Sequence, residues 1–576
     1  MLKSEGLFMR LNLLAAVAPL VLLTACAGAA SGPRHGPYGA GDVTSGLSPY
    51  GMFLAGEAAL NDGKSGQAAH FFEQARQQSA NEAMVAERAF TAALLSGDVD
   101  KAASLAPTGD EATEAGKRLG KLVVAVDALA DGKAKQAKDL LAGENIAFPH
   151  RSAAALLAPW AAAAAGDVEG SLVRPQVRGD RAVDYFGQLG QGALFERAKR
   201  YDEAETDFKA AAAPVNPSVI AVVTYGEFLE RRGRRVDALA LYESFLSNNP
   251  SSLPVKTAKA RASAGKAPPP QPTIREGAAQ AMLGATATMI QAQQTQTAMA
   301  YLRLVLDLDP QKNAAWVMVG DIMQGLGDTE TARAAFGHPK VGSPEYGAAQ
   351  AKLAWTYQSA DDKQTALRLA RAGAASGDVD ARITLSDLLR SNEQYAEAAE
   401  ILTALIGESK TPDWRLRYSR GIAYERMNRW PEAQADLKAA LSARPDEPEI
   451  LNYLGYSLID RGERLPEAMA MVEKAVASNP RSGAMIDSLG WAYFRMGDYK
   501  KAVEKLEQAV ELEAGDPDIN NHLGDAYWKV GRRDEAQFQW RRVLTLTPDA
   551  KIKASAEGKL ASGLGPDGPA PKVADK

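Results

Sequence analysis

The chain has 576 residues, more than one hydrophobic core supports, because cores stop growing at roughly 250–300 residues. Apolar residues make up 46% and aromatic ones only 7%, so alanine carries much of the apolar content, in runs such as AAALLAPWAAAAA, and alanine favours closely packed helices. A net charge of −5 with scattered Lys and Arg leaves no footprint for nucleic acid, and the single cysteine excludes an internal disulfide or a cysteine-based metal cluster.

The chain opens MLKSEGLFMR and continues LNLLAAVAPLVLLTAC. Basic Lys3 and Arg10, an apolar run from Leu11 to Leu23 and small residues before Cys26 predict a secretory signal over 1–25, not a membrane span of the fold. Met1 and Met9 both give a complete start. Leu23-Thr24-Ala25-Cys26 resembles the lipobox cut by lipoprotein signal peptidase. That resemblance implies that Cys26 becomes the acylated first residue; the plainer alternative is an ordinary cleavage site nearby. An aspartate after the cysteine is the usual inner-membrane retention signal, and Ala27 stands there, which implies an outer-membrane lipoprotein facing the periplasm. Two or three acyl chains anchor stably where one does not. Residues 26–48, rich in Gly, Ser, Ala and Pro without an apolar stripe, read as a flexible tether reaching up to roughly 70 Å.

Beyond the tether the sequence repeats. A small residue recurs at Ala68, Ala102, Ala137, Ala204, Ala238, Ala298, Ala332, Ala366, Ala398, Ala433, Ala468, Ala502 and Ala536, mostly 32 to 35 residues apart. The double step from Ala137 to Ala204 predicts a degenerate unit around Ser171 with its turn at Gly166-Asp167. Gly97-Asp98, Asp131-Gly132, Gly327-Asp328 and Gly497-Asp498 mark further tight turns, and Pro250, Pro310, Pro445, Pro480 and Pro548 end units. The long step from Ala238 to Ala298 contains AGKAPPPQPT, which cannot continue a helix. These marks predict an N-terminal array over 49–250, a Pro-rich hinge over 251–273, a C-terminal array over 274–550, and a capping helix with a disordered tail over 551–576.

The clearest units read NYLGYSLIDRGERLPEAMAMVEKAVASNP, IDSLGWAYFRMGDYKKAVEKLEQAVELEAGDP and NNHLGDAYWKVGRRDEAQFQWRRVLTLTP, with Gly421, Gly455, Gly490 and Gly524 spaced by 34 or 35. This resembles the tetratricopeptide repeat, a 34-residue helix–turn–helix unit. The resemblance implies an all-α solenoid, a right-handed superhelix of about 13–14 repeats in two arrays. The glycine of the first helix and the alanine of the second allow close approach of the pair.

Motifs for chemistry fail on spacing. Gly63-Lys64-Ser65 has Ala58 where a phosphate-cradling loop needs glycine, and FGQLGQG orders its glycines wrongly for a dinucleotide fingerprint. The five histidines, His35, His70, His150, His338 and His522, include no HExxH and no pair at helical spacing. No catalytic, cofactor or metal site is expected, nor a small-molecule substrate.

In tetratricopeptide arrays the first helices line a groove, and its positions relative to the marker glycine imply a protein-binding face of Tyr418, Glu425, Asn452, Tyr456, Asp487, Trp491, Phe494, Asn521, Asp525 and Trp528. The competing reading packs Tyr456, Trp491 and Trp528 between neighbouring helices. Acids stand where the basic clamp for C-terminal carboxylates needs Lys and Asn, which disfavours that mode. From about residue 276 onward the chain is similar to a wide proteobacterial set of tetratricopeptide lipoproteins. One role in that set is an outer-membrane adaptor that brings substrates, including cell-wall hydrolases, to a periplasmic carboxyl-terminal processing protease. Scaffolds of pilus or secretin assembly, regulators of cell-wall synthases, and an enzyme with a hidden N-terminal site are the other expectations.

Overall fold

The computed structural model describes residues 47–79, 82–213, 217–409 and 413–565. The 1–25 signal, Cys26, all but the last two residues of the 26–48 tether and the end of the tail lie outside the described residues. From Ser48 onward the chain is one contact unit.

Among the described residues, fourteen helical hairpins follow one another. The first six are α1 (Pro49–Asn61) with α2 (Ser65–Gln78), α3 (Ala83–Ser96) with α4 (Val99–Ser104), α5 (Glu114–Ala130) with α6 (Ala134–Leu141), α7 (Arg151–Ala164) with α8 (Val168–Ser171), α9 (Arg181–Arg197) with α10 (Tyr201–Ala211), and α11 (Val219–Arg231) with α12 (Arg235–Asn248). A lone α13 (Leu253–Ser263) intervenes. Then come α14 (Ile274–Gln291) with α15 (Thr295–Leu308), α16 (Asn313–Gly325) with α17 (Thr329–Phe336), α18 (Tyr346–Gln358) with α19 (Lys363–Ala374), and α20 (Val379–Ser391) with α21 (Tyr395–Glu408). The series closes with α22 (Trp414–Arg426) and α23 (Trp430–Ala443), α24 (Pro448–Arg461) and α25 (Leu465–Ser478), α26 (Gly483–Arg495) and α27 (Tyr499–Leu512), α28 (Pro517–Lys529) and α29 (Arg533–Thr545), and α30 (Ala550–Ser562).

One packing rule recurs in many of the hairpins. All thirteen marker alanines have 0% exposure. Four residues after the alanine, a large side chain covers the glycine of the first helix: Phe72 over Gly56, Phe208 over Gly192, Tyr242 over Gly226, Phe336 over Gly320, and Trp540 over Gly524. A Cβ on Gly226 would lie 2.3 Å from the Tyr242 ring, so the two helices approach only because the methyl is missing. Every hairpin turn contains a residue of positive φ, glycine in most and Lys199, Gln293, Asp361, Glu393 or Asn428 in the others.

Two features add to the boundaries read from the sequence. The 251–273 hinge contains α13, started by Pro254 in its first turn and held by buried Val255, Ala258 and Ala262. The Pro-rich segment after it is pinned by arginines, with Arg235 donating to the Gly265 carbonyl (3.3 Å), Arg231 to Pro269 (3.2 Å) and Arg197 to Pro272 (2.5 Å). The two arrays also pack on one another. Hairpin α14–α15 folds back on the first helices α3, α5, α7 and α9, and one buried cluster runs from Phe90 to Ala398. The reason is small-for-large exchange: Gly277 and Gly284 on α14 receive the rings of Trp160 and Phe186, and a Cβ there would meet them at 2.0 and 2.4 Å.

Candidate protein-binding face

The face of first helices differs between the two halves of the chain. In the N-terminal half it is occupied by α14–α15. His150 Nδ1 and the Tyr301 hydroxyl share a hydrogen bond of 2.7 Å, and Arg303 Nε donates to the Leu95 carbonyl at 2.9 Å. Burial lowers the His150 pKa to about 4, with help from Arg118, and that of Arg303 to about 10.

In the C-terminal half, α22, α24, α26 and α28 carry the ten residues placed on the face by sequence. Tyr418, Glu425, Asn452, Tyr456 and Trp528 are half-buried. Asp487, Trp491, Phe494, Asn521 and Asp525 are buried. Tyr418 sits edge-on to Tyr453 at 5.9 Å, and burial, with Glu449 nearby, pushes its hydroxyl up to about 12. Glu425 accepts from the Tyr453 hydroxyl at 3.2 Å and faces Arg461 at 3.6 Å. The Asn452 amide oxygen is enclosed without a hydrogen-bond partner.

Farther along, the face closes on itself. Trp491 stacks on Phe494 (4.7 Å, 7°) and on His522 (4.1 Å, 17°). His522 Nδ1 meets both oxygens of Asp487 at 3.0 Å. Burial alone would lower the His522 pKa, but Asp487, with Asp518 and Asp525 behind it, raises it above its ordinary value. From α30, Lys559 reaches Asn521 at 3.0 Å and Asp525 at 2.8 Å, Trp540 Nε1 donates to Asp525 at 3.0 Å, and Trp528 Nε1 donates to the Leu564 carbonyl at 3.1 Å. The last unit therefore spends its face residues on the chain's own capping helix, and packing between helices accounts for Trp491. What remains open is the stretch around Tyr418, Asn452 and Tyr456.

His522 looks like one of five dispersed histidines, yet it lies 35 residues after Asp487. That is one residue more than the 34 from Gly490 to Gly524, so neighbouring units bring together positions one apart in the repeat. Among the described residues no group of His, Cys, Asp and Glu is arranged to hold a metal ion, and no helix is long and apolar enough to cross a membrane.

A family model described as "Tetratricopeptide repeat" matches residues 189–252 and 418–482, a second so described matches 517–549, and one described as "TPR repeat" matches 490–531. The chain thus carries tetratricopeptide repeats, the fold of protein-binding scaffolds. It is 28% identical over 170 residues to TPR repeat-containing protein PA4667 of Pseudomonas aeruginosa, a match covering 29% of this chain and only 23% of that relative. Among solved structures, the Cut9–Hcn1 assembly of APC/C aligns over 89% of this chain and 96% of that one (15% identity, TM-score 0.38). A tetratricopeptide repeat protein from Parabacteroides merdae aligns over 43% and 98% (14%, 0.38), and the thermophilic TPR protein TTC0263 from Thermus thermophilus over 31% and 97% (23%, 0.29).

Proposed function

We propose that this chain is a membrane-anchored periplasmic adaptor that holds other envelope proteins, and that it delivers substrates to a carboxyl-terminal processing protease controlling cell-wall hydrolases. The observation that carries the scaffold part is the stretch of first-helix face around Tyr418, Asn452 and Tyr456, which is half-buried and not covered by α30. The anchoring part rests on the lipobox-like Leu23-Thr24-Ala25-Cys26, and the protease part on the resemblance of the C-terminal units to lipoprotein adaptors.

The test is mild crosslinking in cells, purification of the protein from membranes and mass spectrometry of what accompanies it. A carboxyl-terminal processing protease together with wall hydrolases supports the adaptor. Secretin, pilus or synthase subunits without a protease move the protein to an assembly scaffold. In parallel, Cys26→Ser should abolish acylation and release the chain from the membrane fraction; retention would defeat the anchor.

A further inference from the structure

The outer layer of the N-terminal half is incomplete. Most second helices run 11 to 14 residues, as in α10, α12 and α15, but three in succession, α4, α6 and α8, have six, eight and four. After α8 the chain does not refill that place. Pro175 cannot donate to a continuing helix, and it packs against Gly187 of α9 while Arg174 pairs with Asp207 of α10. The chain is drawn away from α6.

The result is a cleft of about 1230 Å³ beside α6, with Ala134, Leu140, Ala164 and Ala165 among its apolar lining. Its charge is one-sided: Lys121, Lys133, Lys135 and Lys138 line it against Asp139. Lys133 is held by Asp131 (2.8 Å) and Lys138 by Asp167 (2.6 Å). Lys121 and Lys135 are exposed and meet no carboxylate among the described residues. Val168 and Val173, on and just after the shortened α8, stand 56% and 65% exposed.

We propose that this cleft receives a short acidic amphipathic helix of a partner protein, which takes the place of the outer-helix residues that α8 lacks. Size agrees from two directions. A helix about 10 Å across fills the cleft with roughly ten residues, and α8 falls ten residues short of α12. Chemistry agrees too: carboxylates on one helix face meet the free ammonium groups of Lys121 and Lys135, while small apolar side chains meet Ala134, Ala164 and Ala165. A helix laid in a groove is recognised through such i, i+3, i+4 anchors. This site is separate from the first-helix face, so it can hold a second protein while the face holds another.

The probe is a fluorescent peptide of about ten residues, bridged to stay helical because so short a helix is unstable alone, with Glu along one face and Leu and Ala along the other. Titrated by anisotropy with the full chain, it should bind saturably and weaken as salt rises. The double substitution Lys121→Glu with Lys135→Glu should reduce affinity at least tenfold, and Lys121→Arg with Lys135→Arg should keep it. Ala165→Trp, which fills the cleft without altering charge, should block binding in a chain whose helix content is unchanged. No saturable binding overturns the proposal, as does equal binding of a peptide of the same composition with its Glu residues dispersed, or equal binding by the charge-reversed chain. None of these results bears on whether envelope proteins are captured by crosslinking, so the adaptor reading stands or falls separately.

Discussion

Asp487 receives the His522 ring nitrogen through both carboxylate oxygens at 3.0 Å, between α26 and α28 and largely out of contact with solvent. With its pKa raised, His522 holds a proton more tightly in the folded chain than in the unfolded one. Its contribution is then fully present below the unfolded value of about 6.5 and is lost as pH rises through the higher folded value. Replacing Asp487 by Ala leaves a buried imidazole beside Trp491 without its counter-charge, a change that costs about 3 kcal/mol. Urea unfolding across pH 6 to 9 should show wild type losing stability over that window and Asp487→Asn losing much less. Parallel curves would mean that the histidine is neutral throughout.

The docking of α14 on α7 rests on one missing methyl. Gly277→Ala puts a Cβ 2.0 Å from the Trp160 ring, which is itself buried, and overpacking of this kind costs about 1–3 kcal/mol. Gly558→Ala is the control: it lies within α30 with nothing within 4 Å and should stabilise by up to ~1 kcal/mol through helix propensity. Amide exchange should locate the loss of protection at Gly277→Ala in α14, α15 and the facing helices. Protection lost evenly along the chain would show that the contact is not a separate docking surface.

The sequence revealed the repeat well because the repeat is local. Alanine and glycine at fixed offsets are dictated by contacts within one hairpin, so the alanines Ala68 to Ala536 mark it without reference to distant residues. Five turns lack a glycine at the left-handed position, Lys199 and Glu393 among them, which is why glycine–aspartate pairs alone miss them. The return of α14–α15 onto α3–α9 is different in kind. It joins residues 151 apart for His150 and Tyr301 and 208 apart for Leu95 and Arg303, and no periodicity encodes such a pairing. Gly277 and Gly284, seven residues apart on one face of α14, were the available hint. The face residues suffered likewise: offset from the marker glycine gives the side of the helix, but only α30 determines that Asn521 and Asp525 are already engaged.

Asp307 gives the α14–α15 contact a pH dependence opposite to habit for a carboxylate. Burial raises its pKa to about 6, helped by Asp127, Asp100 and Asp131 on the facing elements and opposed by Arg275. One of its oxygens is enclosed without a partner. A folded value above the unfolded 3.8 means that stability falls as pH rises from about 4 through 6. Asp307→Asn should stabilise the chain at pH 7.5 by on the order of 1–2 kcal/mol after allowance for solvent screening, and should have little effect near pH 4. Thermal melts at the two pH values check this. Equal effects at both would assign the change to the amide's hydrogen bonds and not to charge.

The open and closed parts of the first-helix face should respond differently to substitution. Asn452 has an enclosed oxygen with no partner, so Asn452→Ala removes nothing that the free chain uses, and stability should stay within about 0.5 kcal/mol. If a partner packs on this stretch against the exposed part of the Asn452 side chain, its affinity should fall about tenfold, the scale of one hydrogen bond. Asn521 is already bonded to Lys559, so Asn521→Ala should lower stability by ~1 kcal/mol and leave affinity for a partner on the open stretch unchanged. The measurement is the yield of crosslinked partner from cells against the unfolding midpoint of each purified variant. The converse result, with Asn521→Ala weakening capture and Asn452→Ala silent, would mean that partners displace α30 and read the residues beneath it, which would make the capping helix a competitor for the face.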